Sequence, residues 1–358
     1  MRNETLAAAS DIGVWATIVL LTLAMVAFAA HLAVQASAAP RASRSASGSS
    51  PVLVGRSTGV AAGPGAASTT DRGPTTDQGS ASGLDDVEGS GGTLADPQGA
   101  EPVPSRRWGV LGLQVTMLAT FVLVTSTALR GLSVQRAPLG NMYEFALAAC
   151  CFTLVIYSGW SLRRDCLWLG LFVTGPVLVI LGFARRSWYT EASQLMPSLD
   201  SIWLVIHVTV ATLAVGLCVI GFATACLYLL RDSAEKRAVA AGDGAEVTGW
   251  RRALPRAEVL ERMTYGIHVV ALPLWTFTLI VGATWAEQAW GRYWGWDPKE
   301  VWTFVIFVVY AAYLHARATS GWTTRKATWI AVAGGVCIVI NYAVVNVFFA
   351  GLHSYSGL

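Results

Sequence analysis

Stretches of roughly 20 predominantly apolar residues recur along the chain, near 12–34, 108–129, 141–161, 166–184, 203–230, 264–285, 301–317 and 327–349. Each can cross a ~30 Å hydrocarbon core as an α-helix. The pattern therefore predicts an all-α polytopic membrane protein with about eight transmembrane helices. The 203–230 run is longer than one span requires, and its surplus is expected at its beginning, outside the hydrocarbon. Between the first and second runs the character changes. Residues 36–105 contain no aromatic side chain and are rich in Gly, Ser, Ala, Thr and Pro. Such a stretch cannot bury enough apolar surface to fold alone. It reads as a disordered linker, with a binding tail as the alternative, and it separates an N-terminal helix (1–35) from a membrane domain (106–358).

Composition agrees with the pattern. The chain is 54% hydrophobic and 13% charged, with mean hydropathy +0.51; a soluble domain carries about 25% charge. The first apolar run is too long for the core of a cleavable signal, and only Arg2 precedes it. Six cysteines lie in or beside apolar runs without any C-x-x-C spacing. They read as small apolar helix residues, and neither thiol–disulfide chemistry nor a zinc site is supported. Net charge is only +3, which leaves no footprint for a nucleic acid partner.

The basic residues instead mark topology. Arg106 and Arg107, Arg163 and Arg164, the stretch from Arg231 to Arg262, and Arg317, Arg325 and Lys326 all fall on one side of the predicted helices. Arg130, Arg136, Arg185, Arg186, Arg292 and Lys299 fall on the other. The bias favours both termini outside and the 36–105 linker in the cytoplasm.

From Trp285 to Trp302 the chain reads W-A-E-Q-A-W-G-R-Y-W-G-W-D-P-K-E-V-W, five tryptophans in eighteen residues. A membrane-interface belt needs one or two per helix end, so this density suggests a flat aromatic floor for a large planar ligand. Trp285 and Trp302 fit interfacial anchoring better, whereas Trp290, Trp294 and Trp296 fit ligand packing. Asp297, Pro298 and Glu300 spell a helix start, with Asp at the N-cap, Pro at N1 and Glu at N3. Neither carboxylate is assigned a catalytic role. Asn141 and Glu144 have the same capping-box spacing before the third run; with Tyr143, support of a ligand site is the alternative.

The segment W-G-R-Y-W-G-W-D-P-K-E resembles the tryptophan-rich (WWD) signature of the haem-handling family that assembles c-type cytochromes. The closest resemblance is to its CcsA/ResC-type members, labelled CcsB in actinobacteria. It continues through Y-L-H-A-R (Tyr313 to Arg317), V-N-V-F-F-A-G-L-H-S-Y (Val345 to Tyr355), P-L-G-N-M-Y-E (Pro138 to Glu144) and W-L-V-I-H-V (Trp203 to Val208), and so covers roughly 108–358. The resemblance implies haem b as transient ligand and substrate, delivered to the outer face of the plasma membrane. It also implies covalent attachment to the C-x-x-C-H segment of an apocytochrome c, as a system II cytochrome c synthase (haem lyase) component. Implied partners are a ResB/Ccs1-type membrane protein, the apocytochrome and thiol-reducing proteins acting on it. A haem exporter without synthase activity is a second reading, and a dihaem electron-transfer subunit a third.

An ionisable residue within the membrane is a candidate functional residue, and neutral imidazole is a common haem-iron ligand. His207, near the outer start of the fifth helix, and His353, past the end of the eighth, share the membrane face of the tryptophan segment. The resemblance makes them paired axial ligands, with Trp290, Trp294 and Trp296 packing the macrocycle and Asp297 at the site. It makes His315, about 21 Å below the outer end of the seventh helix, a ligand to haem arriving from the inner side. Arg317 beside it reads as a snorkelling anchor. His268 lies at similar depth and is either a second inner ligand or an interhelical hydrogen-bonding residue. His31, near the inner end of the first helix, is the weakest ligand candidate.

Overall fold

The computed structural model describes residues 3–37, 103–195, 200–242 and 245–353. Eight described helices are long and apolar enough to cross a membrane, and no strand occurs among the described residues. They are α1 (Glu4–Ser37), α2 (Val103–Val134), α3 (Met142–Ser161), α4 (Gly170–Ser187), α5 (Ile202–Ala240), α6 (Ala257–Trp290), α7 (Pro298–Ala318) and α8 (Thr324–Val339). Helix α8 widens into a π-helix over Ile340–Val345 before a last turn, Asn346–Phe348. The 36–105 linker falls for the most part outside the described residues. Its two margins are helical, because α1 continues to Ser37 and α2 begins at Val103.

Helix α1 runs antiparallel to α2 and is tied to it at both ends. Asn3 N–H donates to Ser133 O at 2.8 Å, and His31 Nδ1 lies 2.8 Å from Ser105 O. Between these ties small residues let the backbones approach: Ser10 donates to Ser126 O, and a Cβ on Gly13 would stand 2.0 Å from Ser126 Oγ. His31 is therefore a buried link between helices rather than a ligand-facing group. Helix α3 is the centre of the bundle, with 72% of its apolar window buried against 22% for peripheral α7. It packs against α2 and α4 on one side and α5 on the other, while α5 pairs with α6 and α7 with α8. Hydroxyls inside the bundle, such as Thr116, Thr153, Thr174 and Thr212, donate to the carbonyl one turn earlier. That satisfies them locally where lipid offers no partner.

Helix α5 corrects one expectation. Its surplus length lies at its end, where Arg231 pairs with Glu235 and Lys236 with Asp232, and not ahead of Ile202. At 39 residues the helix is about 58 Å long, so its charged last turns project well beyond a ~30 Å core. Arg325 of α8 also pairs with Asp232, and Arg317 pairs with Glu261, so the expected anchor Arg317 is an interhelical tie as well.

The start of α1, the end of α4, the start of α5 and the end of α6 gather at one end of the bundle. Tyr189 donates to Asp11, and Ser201 to Gln288. The tryptophan segment and both described chain ends lie there. The same end holds a buried charge network that was not legible in the chain. The Glu144 carboxylate, fully buried, accepts from Arg130 Nε at 3.0 Å, from Arg136 Nη1 at 2.8 Å and from the Gly140 N–H at 2.7 Å. Asn141 Oδ1 caps α3 through Glu144 N–H, so only half of the predicted capping box forms. The guanidiniums also donate to the carbonyls of Thr190 and Ser193, which fastens the α4–α5 connection to α2 and α3.

Removing the carboxylate would leave two buried guanidiniums without a counterion. Glu144→Gln is expected to cost about 3–5 kcal/mol in thermal unfolding in detergent. Replacing Glu144, Arg130 and Arg136 together by Leu, Met and Met should recover much of that loss.

Candidate functional site

A cavity of about 320 Å³ lies among α3, α4, α5, α6, α7 and the π-helical end of α8. That volume is at the small end of the ~300–1,000 Å³ typical of ligand sites. Its walls are largely aliphatic and aromatic. At the tryptophan end they include Trp285, Trp290, Tyr293 and Trp294, together with His207, His353, Lys299 and Glu300. Val179, Phe183 and Val339 line it too, although each is half or more exposed on the lipid-facing surface. The cavity thus reaches the bilayer side between α4 and α8. Below, Trp275, Ile306, Tyr310 and Ile338 belong to one buried cluster, of which Trp275 and Ile338 also line the cavity, with Trp275 Nε1 donating to Thr303 O.

The two histidines expected to converge do share a neighbour. The His207 ring stacks on Trp285 at 6.1 Å and 13°, and the His353 ring lies 6.1 Å from the same indole. Trp290 meets Trp285 at 4.8 Å and His353 at 5.1 Å, edge-on to both. Trp285 is therefore no interfacial anchor. Helix α6 continues to Trp290, which leaves Trp285 more than a turn inside the bundle, facing α5 and 1% exposed.

Each imidazole is oriented by a fixed acceptor. His207 Nδ1 lies 3.0 Å from the Thr278 carbonyl, and His353 Nδ1 lies 2.7 Å from Asp297 Oδ2. Carbonyls and carboxylates can only accept, so each Nδ1 donates, and the neutral form of each ring carries its lone pair on Nε2. That is the arrangement found at metal-ligating histidines. Two glycines permit it: a Cβ on Gly282 would stand 2.6 Å from His207 Cε1, and one on Gly351 would stand 2.2 Å from Asp297 Oδ1. Among the described residues no three His, Cys, Asp or Glu side chains group into a site for a bare metal ion.

Asp297 does more than begin α7. The expected capping box with Glu300 is present, and Glu300 Oε2 accepts from the N–H groups of Asp297 and Gly295. The Asp297 carboxylate also accepts from Leu352 N–H at 2.6 Å and from His353. Burial pushes this carboxyl up, but the His353 and Leu352 hydrogen bonds outweigh it and hold it below its ordinary value.

The remaining predicted residues are distributed differently. Trp294 lines the cavity, whereas Trp296 does not; it is 74% exposed, has φ +57° and lies edge-on to Trp294 at 5.8 Å. Gly291, with φ +71°, ends α6 and starts this loop. His315 is exposed on α7, facing away from the bundle. His268 is fully buried beside Tyr310 and Tyr313, with Nδ1 2.7 Å from Thr264 O. Tyr313 and His315 are two residues, or about 200°, apart around α7. Hence His268 and His315 face different surroundings despite their similar depth. Thr278, Gly282, Asn341 and Gly351 were not singled out from the chain, and Lys299 reads there only as a topology signal; for Asn341 the available signal was a lone amide inside an apolar run.

Fold and site together define a polytopic membrane protein with an aromatic, histidine-bearing cavity at one end of its bundle. The family model for cytochrome c assembly protein matches residues 139–353, which begins just ahead of the helices that wall the cavity. The chain belongs to this family, and its work lies in cytochrome c biogenesis, a role that implies haem handling and apocytochrome c as substrate. It is similar to the cytochrome c biogenesis protein CcsA of Guillardia theta, 32% identical over 69% of this chain and 86% of the relative. CcsA of a Picosynechococcus strain is 31% identical over 69% and 87%, and CcsA of a Prochlorococcus marinus strain 33% identical over 66% and 81%.

Asp297→Asn separates the two duties of this side chain. The amide retains a capping oxygen but sets its NH₂ against one of the donors from Leu352 and His353. Helix content should be unchanged, while cytochrome c yield in a maturation assay falls roughly 10- to 100-fold, as when a ligand's orienting partner is removed. Gly282→Ala should lower that yield similarly, because the new methyl group displaces the His207 ring.

Proposed function

We propose that this protein holds haem at the tryptophan end of its bundle and promotes thioether attachment to the C-x-x-C-H segment of an apocytochrome c. The observation that carries the reading is that His207 and His353 each engage an acceptor through Nδ1. Both present an Nε2 lone pair beside an apolar, aromatic-walled cavity, and two imidazoles are what an iron already held by four macrocycle nitrogens requires. Trp285, Trp290 and Trp294 pack the ring, with exposed Trp296 at the rim. The protein contributes position and iron ligation, and the macrocycle carries the reactive vinyl groups. Each cysteine S–H adds across one vinyl C=C, sulfur to one carbon and hydrogen to the other, with no net change in oxidation state.

Charge distribution supports an outer location for this end, with the 36–105 linker in the cytoplasm; the membrane proposed is the plasma membrane. Of the basic residues here, Arg130 and Arg136 are bound to Glu144, Arg185 lies near Asp11 and Lys299 points inward, which leaves Arg186 and Arg292 exposed. Arg163, Arg164 and Arg237 are exposed at the opposite end. His315 faces away from the bundle, which suits a relay of haem at a surface shared with a ResB/Ccs1-type subunit. Thiol-reducing proteins would keep the apocytochrome cysteines available.

The test is co-expression with that subunit and an apocytochrome in a host lacking haem attachment. His207→Ala and His353→Ala should each abolish covalent cytochrome c, with partial rescue by added imidazole. Wild-type maturation in both variants would overturn the ligand assignment. Haem accumulation without covalent product in the unmodified system would instead identify an exporter, and stoichiometric, non-exchanging haem an electron carrier.

A further inference from the structure

Lys299 is the only Lys or Arg side chain among the residues lining the cavity, and among the described residues no carboxylate lies within ion-pair distance of it. An ammonium has three donors. Two are engaged, with the Asn341 carbonyl at 3.2 Å and Asn346 Oδ1 at 2.9 Å. Both acceptors are uncharged, so the ammonium touches no carboxylate, and Asp297 acts on it only through space.

Asn341 adds an independent observation. It lines the same cavity, is 5% exposed, and its Oδ1 has no hydrogen-bond partner. A buried, unsatisfied amide is costly in an apolar bundle. Turned end for end, the same amide offers Nδ2–H in place of the oxygen. The π-helix over Ile340–Val345 brings this residue, and its backbone carbonyl, to Lys299; such insertions often mark functional positions.

On the haem reading given above, we infer that Lys299 and Asn341 form a carboxylate-recognition subsite that takes a propionate of the bound macrocycle. A propionate would place a carboxylate in direct contact with Lys299 and accept from both its ammonium and the Asn341 amide, a charge-assisted pairing. The Glu300 carboxylate also lines the cavity, but its Oε2 is held by the backbone N–H groups of Gly295 and Asp297. The consequence is orientational. Two axial histidines allow the macrocycle to turn about the iron, and a fixed carboxylate edge decides which way the vinyl-bearing edge faces.

The test compares iron protoporphyrin IX with its dimethyl ester, titrated by absorbance into the purified full-length chain in detergent. The ester keeps the iron, the ring and the vinyl groups and removes only the negative charges. The expected result is roughly tenfold or greater preference for the free acid in the unmodified chain. Lys299→Met and Asn341→Leu should bring that preference towards unity, while Lys299→Arg retains it. Because the ester comparison in the unmodified chain needs no mutation, a variant that fails to fold does not decide the outcome. Equal binding of acid and ester would overturn the subsite and leave the haem reading intact. An undiminished preference in folded Lys299→Met would also overturn it. Failure of both compounds to bind with a bis-imidazole spectrum would count against the haem reading itself.

Discussion

The Asp297 carboxylate accepts hydrogen bonds from the N–H of Leu352 and from His353 Nδ1 while standing at the first turn of α7. This one group joins the tryptophan loop to the last described residues of the chain, some fifty positions later. Without it His353 would be a solvated residue after a helix end. With it, the ring is held beside Trp290 and Trp285, and its Nδ1 is turned to the carboxylate. A capping residue ordinarily satisfies backbone donors of its own helix. Here most of the carboxylate's strong bonds go to the chain's far end, and Gly351 lacks a Cβ because that oxygen occupies its place.

A related constraint governs the rest of the bundle. Within lipid every polar group must find a protein partner, and the partners chosen determine which elements stay fixed. Glu144 meets that demand for Arg130 and Arg136, and through them holds the connection between α4 and α5. That connection leads into the turn from which His207 projects. The cavity is thus bounded by two polar clamps near one membrane face, one built on Glu144 and the other on Asp297, with aromatic packing between them. Helices α1 and α2 contribute none of the lining residues. Their part is to brace α3 and α4 from outside.

The histidines illustrate how depth and direction separate. His268 and His315 lie at comparable levels, so position along the helices cannot distinguish them. Rotation about α6 and α7 does: one ring enters a fully buried layer with Tyr310 and Tyr313, and the other faces outward.

The chain by itself determined the class, the span count and the candidate ligands. Those features depend on local quantities: apolar run length against bilayer thickness, tryptophan density, and the cap spacing of Asp297 and Glu300. The motifs G-L-H and W-G-W-D-P-K-E were also legible, and with them the family. What only the tertiary structure decided was which face each residue presents and which distant group meets it. Trp285 was legible as a boundary residue but is enclosed, since the continuation of α6 cannot be seen in composition. Glu144 was legible as half of a capping box, yet its main partners are guanidiniums brought in from the end of α2. Lys299 read as a topology signal, while the π-helical widening of α8 turned it into the lone cation of the cavity wall. Spacing along a helix is short-range information; pairing across a bundle depends on how the helices pack and rotate, and no local pattern encodes that.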